Sequence, residues 1–159
     1  MARLRRPALV TSGSHLIEET ATLAATASEL PALHLAIDRF WARADQARPC
    51  PQDSTWRLVL TTAIVEISTN IIIHAYPPGT ARNGCLQLRL RLFADRVQAR
   101  LTDRGVAYRP EAALAINLDD LFALREGGFG MLIVRAAVDR LSYHRTPAGI
   151  NCWRLTKHF

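Results

Sequence analysis

Glu66-Ile67-Ser68-Thr69-Asn70-Ile71-Ile72-Ile73-His74-Ala75-Tyr76 sets an acid, an amide and an imidazole at four-residue spacing among apolar neighbours. It closes a segment, 55–76, that contains neither glycine nor proline. Pro51, Asp53 and Ser54 stand before that segment and Pro77-Pro78-Gly79 stops it, which is helix punctuation at both ends. On a helix Glu66, Asn70 and His74 fall four apart and stack along one line of one face. Leu60, Ala63, Ile64, Ile67 and Ile71 cover one flank of that line, and Leu58, Val65 and Ile72 cover the other. Apolar residues on both flanks predict a buried helix. A carboxylate, an amide and an imidazole on such a helix must meet polar partners, because leaving them unpaired carries a heavy desolvation penalty. Two arrangements would satisfy them: a cavity holding a cation or phosphates, or a polar seam paired with neighbouring backbone.

Downstream, Cys85-Leu86-Gln87-Leu88-Arg89-Leu90-Arg91-Leu92 alternates strictly, predicting a strand with one buried face. Ala94-Asp95-Arg96 can turn the chain, and Val97-Gln98-Ala99-Arg100-Leu101-Thr102-Asp103 alternates again, so the two form an antiparallel hairpin. Asp103-Arg104-Gly105-Val106-Ala107-Tyr108 follows where the second strand must end. An acid before a glycine turn suits a binding site, and it equally suits a plain turn. Residues 109–126 are irregular, with one helical turn around 118–124; segments of this length without firm structure often serve as lids. Glu126-Gly127-Gly128-Phe129-Gly130 then opens a helix carrying Met131, Leu132, Val134, Ala137, Val138 and Leu141 at helical spacing. Glycines at a helix head let ligand oxygens approach bare amides where the helix dipole favours negative charge, although a glycine cluster alone has low specificity. The chain closes as a hairpin, Leu141-Ser142-Tyr143-His144 and Asn151-Cys152-Trp153-Arg154-Leu155-Thr156, turned at Pro147-Ala148-Gly149.

Upstream, 15–27 is compatible with a strand, diluted by alanines. Ser28-Glu29-Leu30-Pro31 reads as a helix start with Ser28 as cap, and Leu33, Ile37, Phe40 and Trp41 carry an amphipathic helix to about Ala47. Arg48-Pro49-Cys50-Pro51 connects it to the next helix. His34, His144 and His158 read as surface residues.

The 159 residues fit one domain over 15–159, preceded by a basic arm, 1–14. Composition is that of a globular protein with a real core, 49% hydrophobic and 21% charged. The net charge of +6 comes almost wholly from arginine; Lys157 is the single lysine. Arginine suits phosphate and carboxylate because its planar fork grips two oxygens at once. Along the chain these charges look scattered, apart from Arg3-Leu4-Arg5-Arg6, and no long basic stripe of a DNA reader is visible. An acidic protein or a polyphosphate fits that balance better. Cys50, Cys85 and Cys152 are odd in number and widely spaced, which argues against a disulfide framework or zinc site and for small buried hydrophobes in at least two cases. Pro7 to Val10 is too short for a signal-peptide core, no apolar run is expected to span a membrane, and the chain reads as cytoplasmic.

The acid–amide helix, the acid–glycine turn after a hairpin strand and the glycine-headed helix occur in one order. Together they resemble the GHKL (Bergerat-fold) ATPase superfamily, and more narrowly the stand-alone anti-sigma-factor serine/threonine-protein kinases of bacterial partner switching. The helix box of that family matches Glu66, Asn70, His74, Ala75 and Tyr76; its first glycine box matches Asp103 and Gly105; its second matches Gly127-Gly128-Phe129-Gly130-Met131-Leu132-Ile133. Trp153-Arg154-Leu155-Thr156-Lys157 resembles its last strand, so the likeness covers roughly 28–159. The resemblance implies an α/β two-layer sandwich, a mixed and largely antiparallel sheet with helices on one face. It implies ATP and Mg²⁺ as cofactors. In it Glu66 takes the proton of an attacking hydroxyl, Asn70 coordinates Mg²⁺, Asp103 accepts from the adenine amino group, and Gly105 lets the base lie close to backbone. Gly128, Phe129, Gly130 and Met131 head the phosphate-binding helix, Arg125 in the lid is a phosphate contact, and His74 plays a supporting part. The implied partners are a STAS-type antagonist, a sigma factor and a second copy of the chain, with no direct nucleic acid and no membrane. One departure is Ala107, where the family's first box has its second glycine. If that position needed a positive φ, its methyl would cost about 1 kcal/mol or more. The alternative implied by that departure is a degenerate Bergerat-fold module that sequesters a partner, with nucleotide as a switch only.

Overall fold

The computed structural model describes residues 14–47, 53–76, 84–109 and 130–159. The basic arm up to residue 13, the whole 48–51 connector, most of the expected lid with Arg125, and Gly127, Gly128 and Phe129 lie outside the described residues.

Five strands form one sheet: β1 (Ile17–Ala24), β2 (Cys85–Leu92), β3 (Arg96–Asp103), β4 (Arg140–Arg145) and β5 (Asn151–His158), in the order β1-β2-β3-β5-β4. Every pairing is antiparallel. The alternation read along β2 and β3 sets the two faces of the sheet. Leu86, Leu88, Leu90 and Leu92 meet Val97, Ala99 and Leu101 in the core, and Leu155 and Trp153 continue that surface on β5. Among the described residues helices cover this face only, giving the expected two layers. They are α1 (Leu30–Ala47), α2 (Ser54–Asn70) and α3 (Gly130–Ala137).

Asp53 caps α2, its carboxylate accepting from the Trp56 amide at 2.8 Å. The start of α1 differs from expectation. Thr26, not Ser28, is the cap residue, and Ser28 lies within a 3₁₀ turn, Ala27–Glu29, that leads into the helix. The last helix is also shorter than its apolar spacing predicts. Asp139 donates its amide to the Thr156 carbonyl, so the helix stops at Ala137 and Leu141 lies in the strand of the closing hairpin, where the sequence also places it. Sheet pairing satisfies that backbone better than another exposed helical turn would.

The decisive helix is buried along one flank only. Leu60, Ala63, Ile64 and Ile67 are sealed in the core, whereas Leu58 is 64% exposed and Val65 and Ile72 are half-buried. The helical segment Ser54–Ala75 is 22 residues long, and an 18-residue window within it, of mean hydropathy 1.6, has the length and composition of a membrane span. Here it is the core helix on the sheet. Of the described cysteines, Cys152 is buried and Cys85 exposed, so burial holds for one of the two. His34, His144 and His158 are exposed as expected, and His158 also pairs with Asp139 at 3.2 Å.

Candidate functional site

α2 does not run straight to Tyr76. After Asn70 it widens into a π-helical turn, Ile71–Ala75. Such turns shift the phase of everything beyond them. Glu66 and Asn70 therefore keep their common line, while His74 leaves it and is exposed. The sealed flank holds the helix against the sheet, and the polar line faces the head of α3.

That meeting is close. A Cβ added to Gly130 would lie 2.5 Å from Glu66 Oε2 and 3.8 Å from Asn70 Nδ2. Glycine is required at position 130 by this approach and not by backbone conformation, since Gly149 is the sole positive-φ residue among those described. An acid and an amide thus converge on the first amides of a helix. Met131 follows, half-buried against the core. Gly130→Ala is expected to push the tip of Glu66 aside at little cost in stability, because the clash is with the far end of a flexible side chain. Any reaction that uses that carboxylate should slow by roughly tenfold, the order of 1.4 kcal/mol; melting temperature and turnover, measured together, check it.

The second part of the site lies at the end of β3. Asp103 is 3% exposed and stands on the core face. Its Oδ1 accepts from the Gly105 amide and from Asn151 Nδ2, both at 2.8 Å. Its Oδ2 is buried without a hydrogen-bond partner. Burial pushes this carboxyl above the usual carboxylate range, against the lowering effect of the Asn151 and Gly105 hydrogen bonds and the Arg145 charge. A buried acceptor of this kind costs free energy until a donor reaches it.

Gly105 seals the turn against α2. A Cβ there would collide with the Ala75 carbonyl oxygen, and the next amide, Val106, donates to that same oxygen at 2.8 Å. Tyr76 completes the tie, its hydroxyl accepting from the Arg104 amide at 2.9 Å and donating to the Cys85 carbonyl at 3.2 Å. Ala107 has no positive φ, so its methyl meets no conformational obstacle. Around Asp103 the final hairpin adds a network that the sequence reading missed. Asn151 Nδ2 also reaches the Gly105 and Val106 carbonyls, and its Oδ1 accepts from Tyr143 and Arg145. The available signal was an asparagine in phase with Trp153 and Leu155 on the core face, a poor strand former in a buried register.

Glu66, Asn70, Gly130 and Met131 thus form one group and Asp103, Gly105 and Ala107 another, linked through the α2 end at Ala75 and Tyr76. Arg125, Gly128 and Phe129 lie outside the described residues. The orphaned Asp103 oxygen and the close Glu66–Gly130 approach fit a purine nucleotide, with its amino group at the first and its phosphates at the second. Among the described residues no three His, Cys, Asp or Glu side chains gather into a metal cluster. A single amide beside phosphate oxygens is nevertheless a donor set that suits Mg²⁺.

Comparison with known proteins agrees with this geometry. The family described as "Histidine kinase-like ATPase domain" matches residues 26–157. Serine/threonine-protein kinase BtrW of Bordetella bronchiseptica is 36% identical over 106 residues, covering 64% of this chain and 70% of that protein. Serine-protein kinase RsbW of Staphylococcus epidermidis is 24% identical over 128 residues, 77% of this chain and 76% of that one. The fold matches the RsbU and RsbW domains of Rv1364c from Mycobacterium tuberculosis at a TM-score of 0.55 and 18% identity, over 89% of this chain but 32% of that larger one. It matches the SiaB–SiaC complex from Pseudomonas aeruginosa at a TM-score of 0.54 and 15% identity, over 88% of this chain and 89% of that one. With a Glu66–Asn70 pair at a glycine-headed helix and a buried Asp103 at the end of β3, the chain belongs to the histidine kinase-like ATPase (GHKL) domain family, among relatives named serine-protein kinases.

Proposed function

We propose that this chain is an ATP-dependent protein-serine kinase that acts as an anti-sigma factor and phosphorylates a STAS-type antagonist in a partner-switching cycle. The observation that carries the proposal is the convergence of Glu66 and Asn70 on the bare backbone of Gly130. In this reading Mg²⁺–ATP supplies the phosphoryl group and the charge that neutralises its oxygens. Asn70 would hold the metal. Glu66, one turn before it, takes the proton from the attacking serine hydroxyl. Gly130 and Met131 would offer helix-head amides to the phosphates, a role that the family resemblance also gives to Gly128, Phe129 and Arg125, which lie outside the described residues. Asp103 accepts the adenine amino group on Oδ2, and Gly105 and Ala107 form the turn beside the base. The one domain of 15–159 works in the cytoplasm as a homodimer, binding a sigma factor when the antagonist is phosphorylated.

Incubation with Mg-ATP and a candidate STAS protein, read by mass spectrometry, tests this directly. A phosphoserine on the STAS protein is the expected result, and nucleotide binding without transfer to any candidate would favour the sequestering module. The motive for that rival was Ala107, and the absence of a positive φ there weakens it. Accordingly Ala107→Gly is expected to change ATP affinity less than about twofold, with any loss arising from added backbone freedom. A gain of roughly fivefold by calorimetry, about 1 kcal/mol, would reveal strain at that turn.

A further inference from the structure

The sheet face turned away from the helices carries a row of arginines that the nucleotide site does not use. Strand register places Thr20, Arg89, Arg100, Arg154 and Ser142 in one row across all five strands. Arg89 stands directly opposite Arg100, and Arg100 directly opposite Arg154. Like charges facing one another across a ladder destabilise a sheet. Two other arginines on this face have carboxylates, Arg91 with Glu18 and Arg96 with Asp95. Among the described residues no carboxylate lies within ion-pair distance of Arg89, Arg100 or Arg154; Arg100 Nε donates to Cys152 Sγ at 3.1 Å. Beside the row a cavity of about 610 Å³ opens, with Thr20, Thr22, Gln87, Arg89, Arg100 and Arg104 in its lining. Of the nucleotide-site residues only Tyr76 and Asp103 reach it.

We propose that this arginine row is a docking surface for an acidic segment of a partner protein, gripped carboxylate by guanidinium. Charge complementarity and length select that occupant. Neighbouring strands place facing Cα atoms about 5 Å apart, so the three arginines span roughly 10 Å. Carboxylates two residues apart on an extended segment, about 7 Å, match the reach of successive guanidinium forks. The threonine hydroxyls and the Gln87 amide at the cavity supply further hydrogen bonds to backbone. A second copy of the same face would bring the same unpaired charge. Nucleic acid would find no aromatic side chain in the row on which a base could stack.

Fluorescence anisotropy with labelled poly-L-glutamate at low salt tests the proposal on the full chain. The protein is expected to bind it, and Arg89→Gln/Arg100→Gln/Arg154→Gln to weaken binding by about tenfold or more, given the strength of charge-assisted pairs. Arg135→Gln, an exposed arginine on α3, should leave it unchanged. ATP affinity should be unaltered in the triple variant, and its melting temperature equal or higher, since like-charge repulsion is relieved. If the triple variant fails to fold, Arg154→Gln alone, at an exposed position, should still weaken binding about threefold. No binding of poly-L-glutamate, or equal binding by the variants, overturns the proposal. So does tighter binding of duplex DNA that the same substitutions abolish, which would mark a nucleic-acid surface. Loss of self-association with poly-L-glutamate binding intact would mark an interface between copies and overturn it as well.

Discussion

Glu66→Gln is expected to lower phosphoryl transfer to a protein serine by about a hundredfold or more while ATP affinity stays nearly unchanged. The amide keeps the size and shape of the carboxylate, so the close approach to Gly130 survives and the head of α3 need not move. What is lost is the ability to hold a proton. In the proposed site Asn70, one turn on, would still be there to meet the metal, and Asp103 to meet the base. Single-turnover transfer and calorimetric ATP binding on the same preparation separate the two quantities. Equal losses in both would make Glu66 a structural residue. Gly130→Ala offers an internal check, since it displaces the same carboxylate without removing it. In the double variant the two losses should fail to add, because they act on one group.

The parts of this protein that the sequence announces are those fixed by local rules. Strict alternation over 85–92 and 97–103 predicts the central hairpin, and Asp53 ahead of a long apolar run predicts where α2 begins. Which residues share a site is implied instead by a family resemblance, carried by the order of the acid–amide line, the acid–glycine turn and the glycine-headed helix. The π-turn at Ile71–Ala75 is different. Its cause is tertiary: the Ala75 carbonyl faces Gly105 and takes the Val106 amide, a partner about thirty residues on, so helical spacing alone carried His74 onto a line that it leaves.

The arginine row was hidden for the same reason. Arg89, Arg100 and Arg154 lie far apart in the chain, and reading along it they look like ordinary alternating polar positions. Only register brings them face to face, and register is a property of pairs of strands. The burial of α2 shows the limit from the other side. Wheel geometry places Leu58 and Ile64 on opposite flanks, but which flank meets the sheet depends on where α1 and α3 pack.

Asp103→Asn should weaken ATP binding by roughly ten- to a hundredfold, the 1.5–3 kcal/mol of a hydrogen bond to a charged group. The geometry dictates which way the new amide must turn. Gly105 N and Asn151 Nδ2 both donate to Oδ1, so the amide oxygen of the variant must take that position. Its Nδ2 then falls where the unpartnered Oδ2 stood and presents a donor to the adenine amino group, itself a donor. A 6-oxo purine presents an acceptor at that edge, so discrimination against GTP should narrow in the same variant. Calorimetry with both nucleotides reads the two effects together. Stability without nucleotide should move the other way. Burial raises the Asp103 carboxyl in the folded protein, so the folded state holds this proton to a higher pH than the unfolded chain does. The contribution of Asp103 is therefore fully present below the unfolded carboxylate value, about 3.9, and is lost as pH rises through the higher folded value. Above that window the wild type carries a buried charge that the asparagine variant lacks. Relative to wild type, the variant should gain thermal stability as pH rises through the window and hold that gain at neutral pH. A variant that lost ATP binding and also melted earlier at neutral pH would show that Asp103 is kept to hold the β3 turn together, not to meet a ligand.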